Sequence, residues 1–143
     1  MSTIIRRIIA TVKAPKPVGP YNQAVALDRT VYFSGVLGLN KDSMKLVDGG
    51  AVAEARQALQ NLGQLLEAAD SSYDKVVKTN IFLTDMNDFS AVNEIYKESV
   101  NEIYKEYFKK DFPARSTFQV SKLPLGATVE IEAIAASGNV KTV

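Results

Sequence analysis

The sequence predicts an α+β fold of order βββαβαββ, a mixed six-stranded sheet with two helices on one face. Two observations predict it. Six segments rich in β-branched and aromatic residues are separated by turn-forming residues, whereas only two stretches carry helical spacing. The chain has 143 residues, 46% of them hydrophobic and 23% charged, which suits one domain able to bury roughly two thirds of its unfolded surface. Residues 1–143 are therefore read as a single domain.

Ile4–Ile9 reads as the first strand. Ala14-Pro-Lys-Pro-Val-Gly-Pro20 follows as a stiff, extended connection, because each proline fixes its own φ and disfavours helix in the residue before it. Gln23–Leu27 and Thr30–Ser34 flank the two-residue turn Asp28-Arg29 and form a hairpin. Lys41–Gly50 is a polar loop. Val52, Ala55, Leu59, Leu62, Leu66 and Ala69 are spaced 3, 4, 3, 4, 3, which builds one apolar helical stripe. Lys75–Leu83 is a strand, and Asp85 to about Tyr107 a second helix that Phe112-Pro113 stops. Arg115–Val120 and Thr128–Ala136 are the last two strands.

Two helices cover only one face of such a sheet. The second face still carries apolar residues, since Val129, Ile131, Ala133 and Ala135 alternate against Thr128, Glu130, Glu132, Ile134 and Ala136. A sheet apolar on both sides and covered on one needs another subunit, so a homo-oligomer is expected.

Composition removes whole classes of function. The chain has no cysteine, histidine or tryptophan. A serine–histidine triad, a cysteine nucleophile and a Cys/His zinc site are all impossible. A net charge of +1 removes the electrostatic case for a nucleic-acid or membrane-surface protein. No stretch approaches about 20 consecutive apolar residues, so no membrane span is expected. Arg6, Arg7, Lys13 and Lys16 precede the first acidic residue, as in a mitochondrial transit peptide. The three prolines at 15, 17 and 20 argue instead for a strand and a rigid loop. A cytoplasmic protein is expected, with a mitochondrial address as the alternative.

One internal repeat stands out. Val92-Asn-Glu-Ile-Tyr-Lys-Glu98 recurs as Val100-Asn-Glu-Ile-Tyr-Lys-Glu106, seven identities at an offset of 8. Eight residues turn a helix about 80° beyond two full turns, so the copies present different faces. The expectation is an unbroken second helix about two turns longer than needed, with Asn101 rather than Asn93 facing Arg115.

Chemistry must come from Arg, Lys, Glu, Asp, Tyr, Ser and backbone groups. Arg115 follows Phe112-Pro-Ala and opens a strand, a rigid setting for bidentate capture of a carboxylate or phosphate. A solvent-facing strand arginine or an ion pair is the alternative. Glu130 and Glu132 share one strand face and suit acid/base work, or simply a wet face. Tyr21 sits at the mouth of the proline loop, and Ser34-Gly35 at a strand end, where structural roles compete with ligand contact. No phosphate-binding glycine loop or calcium loop is present.

Taken together, Gly19-Pro-Tyr-Asn-Gln-Ala24, Val31-Tyr-Phe-Ser-Gly35, Asp85-Met-Asn-Asp-Phe89, Val-Asn-Glu-Ile-Tyr-Lys, Phe112-Pro-Ala-Arg-Ser116 and Val129-Glu-Ile-Glu-Ala133 say more. In this order, from Ile4 to Ala136, the sequence closely resembles the RidA/YjgF/liver perchloric-acid-soluble protein family. The resemblance implies a homotrimer of a chorismate-mutase-like α+β fold, with sites in clefts between subunits. It implies hydrolysis of reactive 2-imino acids, 2-iminobutanoate and 2-iminopropanoate, to 2-oxo acids and ammonia. Such imines are released by PLP-dependent dehydratases acting on serine or threonine, and the activity would protect PLP enzymes from imine damage. The family's substrate arginine falls on Arg115, its loop tyrosine on Tyr21, its strand serine on Ser34 beside Gly35, and its water-associated glutamate on Glu130. The family's site asparagine falls in the duplicated motif: Asn101 when counted from Arg115, Asn93 when counted from Phe89. Thr117 stands where many members carry cysteine. Gly19 falls where mature members begin their loop, so no cleaved presequence is expected.

No cofactor and no metal are expected. An imine hydrolyses unaided in water, so the barrier needs only modest lowering and no covalent nucleophile. Endoribonuclease activity with translation inhibition, and chaperone-like binding, are the competing readings of the family.

Overall fold

A computed structural model of the chain describes residues 1–88 and 100–143. The elements are β1 (Arg6–Ile9), β2 (Ala24–Leu27), β3 (Thr30–Leu37), α1 (Gly50–Ala68), β4 (Val76–Leu83), α2 (Val100–Tyr107), β5 (Ala114–Gln119) and β6 (Val129–Ala136). All six strands join one sheet of order β1-β2-β3-β6-β4-β5. Neighbours are antiparallel except β4 and β5, which run parallel. A parallel pair needs a crossover, and α2 lies in it.

The helical stripe is buried as the spacing predicts. Ala55, Leu59, Leu62, Leu66 and Ala69 are buried, and Ala51, Ala58 and Leu65 widen the face. Opposite them the sheet presents Val31, Phe33, Ile81, Leu83, Val129 and Ile131, all in the same core with Val100 and Ile103 of α2. Val129, Ile131, Ala133 and Ala135 thus face the helices. Glu130, Glu132, Ile134 and Ala136 take the other face and are half-buried at most.

That other face is nonetheless apolar in part. Tyr32 pairs with Ile134 and with Val25, and Phe82 stacks on Phe118 at 6.1 Å between ring centroids. Tyr32 and Phe118 are each about half exposed. No described helix packs on this side.

Buried polar side chains tie the helix to the strand ends. Glu54 of α1, buried, accepts from the Thr128 backbone N–H at 2.9 Å and from its hydroxyl at 2.7 Å. Asn61, also buried, donates to the Leu37 and Leu39 carbonyls at 3.1 and 2.9 Å. Gly38 makes this close approach possible, because a Cβ there would overlap the Glu54 backbone.

Two elements differ from the sequence expectation. β3 does not stop at Ser34 but runs to Leu37, with a register break against β6 between Phe33 and Val36. A bulge lets a strand bend and continue, and Ser34-Gly35 forms it. The second helix does not start at Asp85. Met86–Asp88 is a 3₁₀ turn in which the Asp85 carboxylate accepts from the Asn87 N–H at 2.9 Å; a side chain that satisfies a turn locally competes with helix initiation. Residues 89–99, which hold the first copy of the repeat and Asn93, lie outside the described residues.

Candidate active site

The β3 bulge is where the first group of candidate residues meets. Tyr21, Ser34, Gly35 and Glu130 line one cavity of about 290 Å³, with Pro15, Lys16 and Pro17 along one side and Leu37, Leu39 and Pro124 along another. The proline segment is held over it by Gln23, a buried side chain. The Gln23 carboxamide accepts from the Thr11 N–H at 2.7 Å and donates to the Thr11 and Pro15 carbonyls at 3.1 and 2.8 Å. Tyr21 lies across the entrance, its hydroxyl accepting from the Val18 N–H at 3.2 Å. The Ser34 hydroxyl donates to the Asn22 carbonyl at 2.6 Å, which leaves its lone pairs to serve as acceptors.

Gly35 and Glu130 are complementary. A Cβ at position 35 would fall on the Glu130 carboxylate, so only glycine lets that carboxylate lie against β3. No described residue donates a hydrogen bond to it. Burial first, and the neighbouring Glu132 charge second, raise the Glu130 carboxyl above its ordinary value. Loss of hydration disfavours the charged form, and a like charge adds to the effect. Such a carboxylate, when ionised, is a better base than an exposed one.

The second group gathers on the edge strand. Arg115 pairs with Thr79 across β4–β5 and Thr117 with Ile81, which puts both on the helix-covered face. The Arg115 guanidinium donates to the Asn101 carboxamide at 3.1 Å and sits 4.9 Å above the Tyr104 ring centroid. Asn101 and Tyr104 are one turn apart on α2 and therefore reach the same spot. Of the two asparagines the sequence left open, Asn101 is the one described, and it touches Arg115. Thr117 lies half-buried two residues along the strand from Arg115.

The two groups do not converge within one chain. Ala133 pairs with Thr79, and Glu130 with Phe82. Arg115 thus shares a face with Ala133, and Glu130 points to the other side. Thr79 and Phe82 are three residues apart, about 10 Å along a strand, and β4 stands between β5 and β6. Among the described residues no group of three or more His, Cys, Asp or Glu side chains comes together as a metal site would require.

Residues 11–137 match the family model described as Endoribonuclease L-PSP. The chain belongs to that family. It is similar to the Drosophila melanogaster protein named RutC family protein UK114, at 60% identity over 99% of this chain and 97% of that one. It is similar to a human 2-iminobutanoate/2-iminopropanoate deaminase at 51% identity, over 99% and 98% of the two chains. Among solved structures, RidA from the Antarctic bacterium Psychrobacter superposes with a TM-score of 0.83 at 41% identity, covering 91% of this chain and 98% of that one.

As an L-PSP family member, the chain carries positioning residues that sequence reasoning did not single out: Gln23, Asn61 and Glu54. Glu54 interrupts the apolar run from Ala51 to Ala55, whereas Gln23 follows Asn22 and Asn61 follows Gln60, so only Glu54 stands out in the sequence pattern. Buried polar side chains at such places are expected to satisfy backbone groups that the sheet and helix leave unpaired. No described helix of this L-PSP chain is long and apolar enough to cross a membrane.

Proposed function

We propose that the chain hydrolyses small 2-imino acids, 2-iminobutanoate and 2-iminopropanoate, to the 2-oxo acids and ammonia. The site is shared between protomers of a homotrimer, each built from residues 1–143 as one domain. The observation that carries the reading is the Arg115 guanidinium fixed by α2 in a chain half identical, end to end, to relatives named for this reaction. A fixed planar fork suits a 2-imino acid, whose carboxylate lies one bond from the reacting carbon.

Arg115 would hold that carboxylate and place the C=N carbon beside one water, which supplies most of what a spontaneous reaction lacks. Glu130 of a neighbouring protomer, with its raised pKa, would take a proton from the water as its oxygen adds to the carbon. The nitrogen gains that proton and becomes an amine on a tetrahedral centre. The C–N bond then breaks, the hydroxyl gives its proton to the departing nitrogen, and the carbonyl forms. Both water protons end on ammonia and the oxygen on the 2-oxo acid. Tyr21, Ser34 and the Gly35 backbone would line the pocket around the substrate's side chain, with Thr117 and Asn101 beside Arg115.

Support for the trimer is twofold. No described helix covers the sheet face around Tyr32, Phe82, Phe118 and Ile134, where Tyr32 and Phe118 are about half exposed, and the two halves of the candidate site lie on opposite faces of one protomer. RNA cleavage, which the family description names, draws less support from a chain without histidine at a net charge of +1.

The test is imine hydrolysis coupled to a dehydratase acting on threonine or serine. Arg115→Ala should abolish acceleration, and Arg115→Lys should lose most of it, because an ammonium offers no fork. A neutral imine without the carboxylate should gain little from the wild-type protein. Equal acceleration of charged and neutral imines would overturn the reading. RNA cleavage that survives purification but disappears in Arg115→Ala would replace it with the nuclease.

A further inference from the structure

Arg115 stands on the last strand of the sheet, where a long side chain has one flank without a neighbouring strand. An arginine there samples many rotamers unless something holds it, and that freedom is lost again each time a carboxylate binds. Besides its bond to Asn101, the guanidinium meets the face of Tyr104, 4.9 Å away. This ring is itself fixed on several sides. Its hydroxyl shares a hydrogen bond of 2.9 Å with the Thr79 hydroxyl, and Thr79 is fully buried in β4, directly beside Arg115 in the sheet. Phe108 stacks on the ring with centroids 4.3 Å apart, and Tyr73 packs edge-on against Phe108 at 5.6 Å. Tyr104 is 4% exposed and stays a neutral phenol, its pKa raised by burial.

We propose that Tyr104 is a positioning residue for Arg115: its ring face presets the guanidinium and thereby helps set affinity for the substrate carboxylate. The ring does not touch the reacting atoms. The inference rests on the carboxylate-binding role given to Arg115 above. A packed tyrosine in a core is ordinary, but three features point beyond packing. The hydroxyl's partner is the strand residue next to Arg115, the ring face meets the cation, and Asn101 contacts the same guanidinium from one turn earlier on α2. A ring face attracts a cation through its quadrupole, so the contact depends on the ring's electrons and not on its volume alone.

That dependence gives a readout that a purely structural role would not move. With phenylalanine at position 104 as the reference, mono-, di- and trifluorinated phenylalanines keep nearly the same shape while draining the ring face. KM for 2-iminobutanoate should rise stepwise along the series, about fivefold to tenfold in all, as expected from the size of a partly desolvated cation–π contact. The kcat should stay within about twofold, because the chemistry at the C=N carbon is untouched. Tyr104→Leu should raise KM by a similar factor, and Tyr104→Phe should restore most of it. A flat KM across the fluorinated series would overturn the proposal, and so would kcat falling in step with the fraction of folded protein. Arg115→Ala is run alongside. If Arg115→Ala hydrolyses 2-iminobutanoate like wild type, the reading of Arg115 itself fails. If it is inactive while the series is flat, only the positioning role fails.

Discussion

Gly35 and Glu130 contend for the same space, and the contest can be read out. The Gly35 backbone is not among the positive-φ positions, so alanine is excluded there by its Cβ and not by its dihedrals. Gly35→Ala should push the carboxylate aside while leaving the sheet intact, because the atoms that must yield are the end of a flexible side chain. Turnover is expected to fall by about 10²-fold, the usual cost of misplacing a reacting group. Stability should change by no more than about 1 kcal/mol. An unchanged rate with a lowered melting temperature would assign Gly35 to packing alone.

Glu130 itself carries a pH dependence with a defined sign. A base works when ionised, so activity should fail as pH drops through its folded pKa, which lies above the usual carboxylate range. Glu132→Gln removes a like charge and should move that acid limb to lower pH. For stability the sign is opposite to that of a salt-bridged carboxylate. A raised pKa makes the ionised form a cost to folding above the folded pKa, and the cost is relieved as pH falls. Glu130→Gln should therefore lower turnover by about 10²-fold while raising the melting temperature at neutral pH. Equal acid limbs for wild type and Glu132→Gln would contradict the assignment.

At the level of elements, the proline segment shows how a loop becomes part of a pocket wall. Three prolines stiffen it, but stiffness does not fix its position. Gln23 does, through its bonds to the backbone at Thr11 and Pro15. Gln23→Leu leaves those groups without partners and should cost about 2–3 kcal/mol, measured as a shift of the urea midpoint at unchanged slope. The reference for that change is Gln23→Glu, which keeps the acceptor to Thr11 and loses the donors.

The elements that were legible in the sequence are those whose signal is local. The α1 stripe follows from period alone, and the β2–β3 turn and the alternation of β6 follow from residue type. The β3 bulge was not legible, because Ser34-Gly35 reads equally well as a strand end until β6 is in place to continue the pairing. The start of the second helix was misread at Asp85, where a side chain equally suited to capping a helix closes a 3₁₀ turn. Within the candidate site, Arg115, Tyr21 and Ser34 stood out as residue types at a strand start, a rigid loop and a strand end, and Glu130 by its period-2 pairing with Glu132. That Arg115 and Glu130 point to opposite faces was not, since facing depends on the register of β5 and β6 against β4.

For the whole molecule, that division of faces has a quantitative consequence. The proposed site, with Arg115 from one protomer and Glu130 from the next, would be broken from either side, and two different broken chains would mend it. Arg115→Ala and Glu130→Gln are each expected to be inactive and each to assemble, because Arg115 lies on the helix-covered face and glutamine keeps the shape of Glu130 beside Phe82. In co-expressed mixed trimers at equal amounts, a site is intact when the chain supplying arginine is Glu130→Gln and the chain supplying glutamate is Arg115→Ala. Random assembly into a closed ring makes that one combination in four, so about a quarter of wild-type activity should return. Light scattering on each variant alone checks that trimers form, and mixing after assembly, without exchange, should restore nothing. Recovery depends on partner copies only if both residues are needed in one site and come from different chains. No recovery from co-expressed mixed trimers would place the two residues in a site within a single chain, or remove one of them from it.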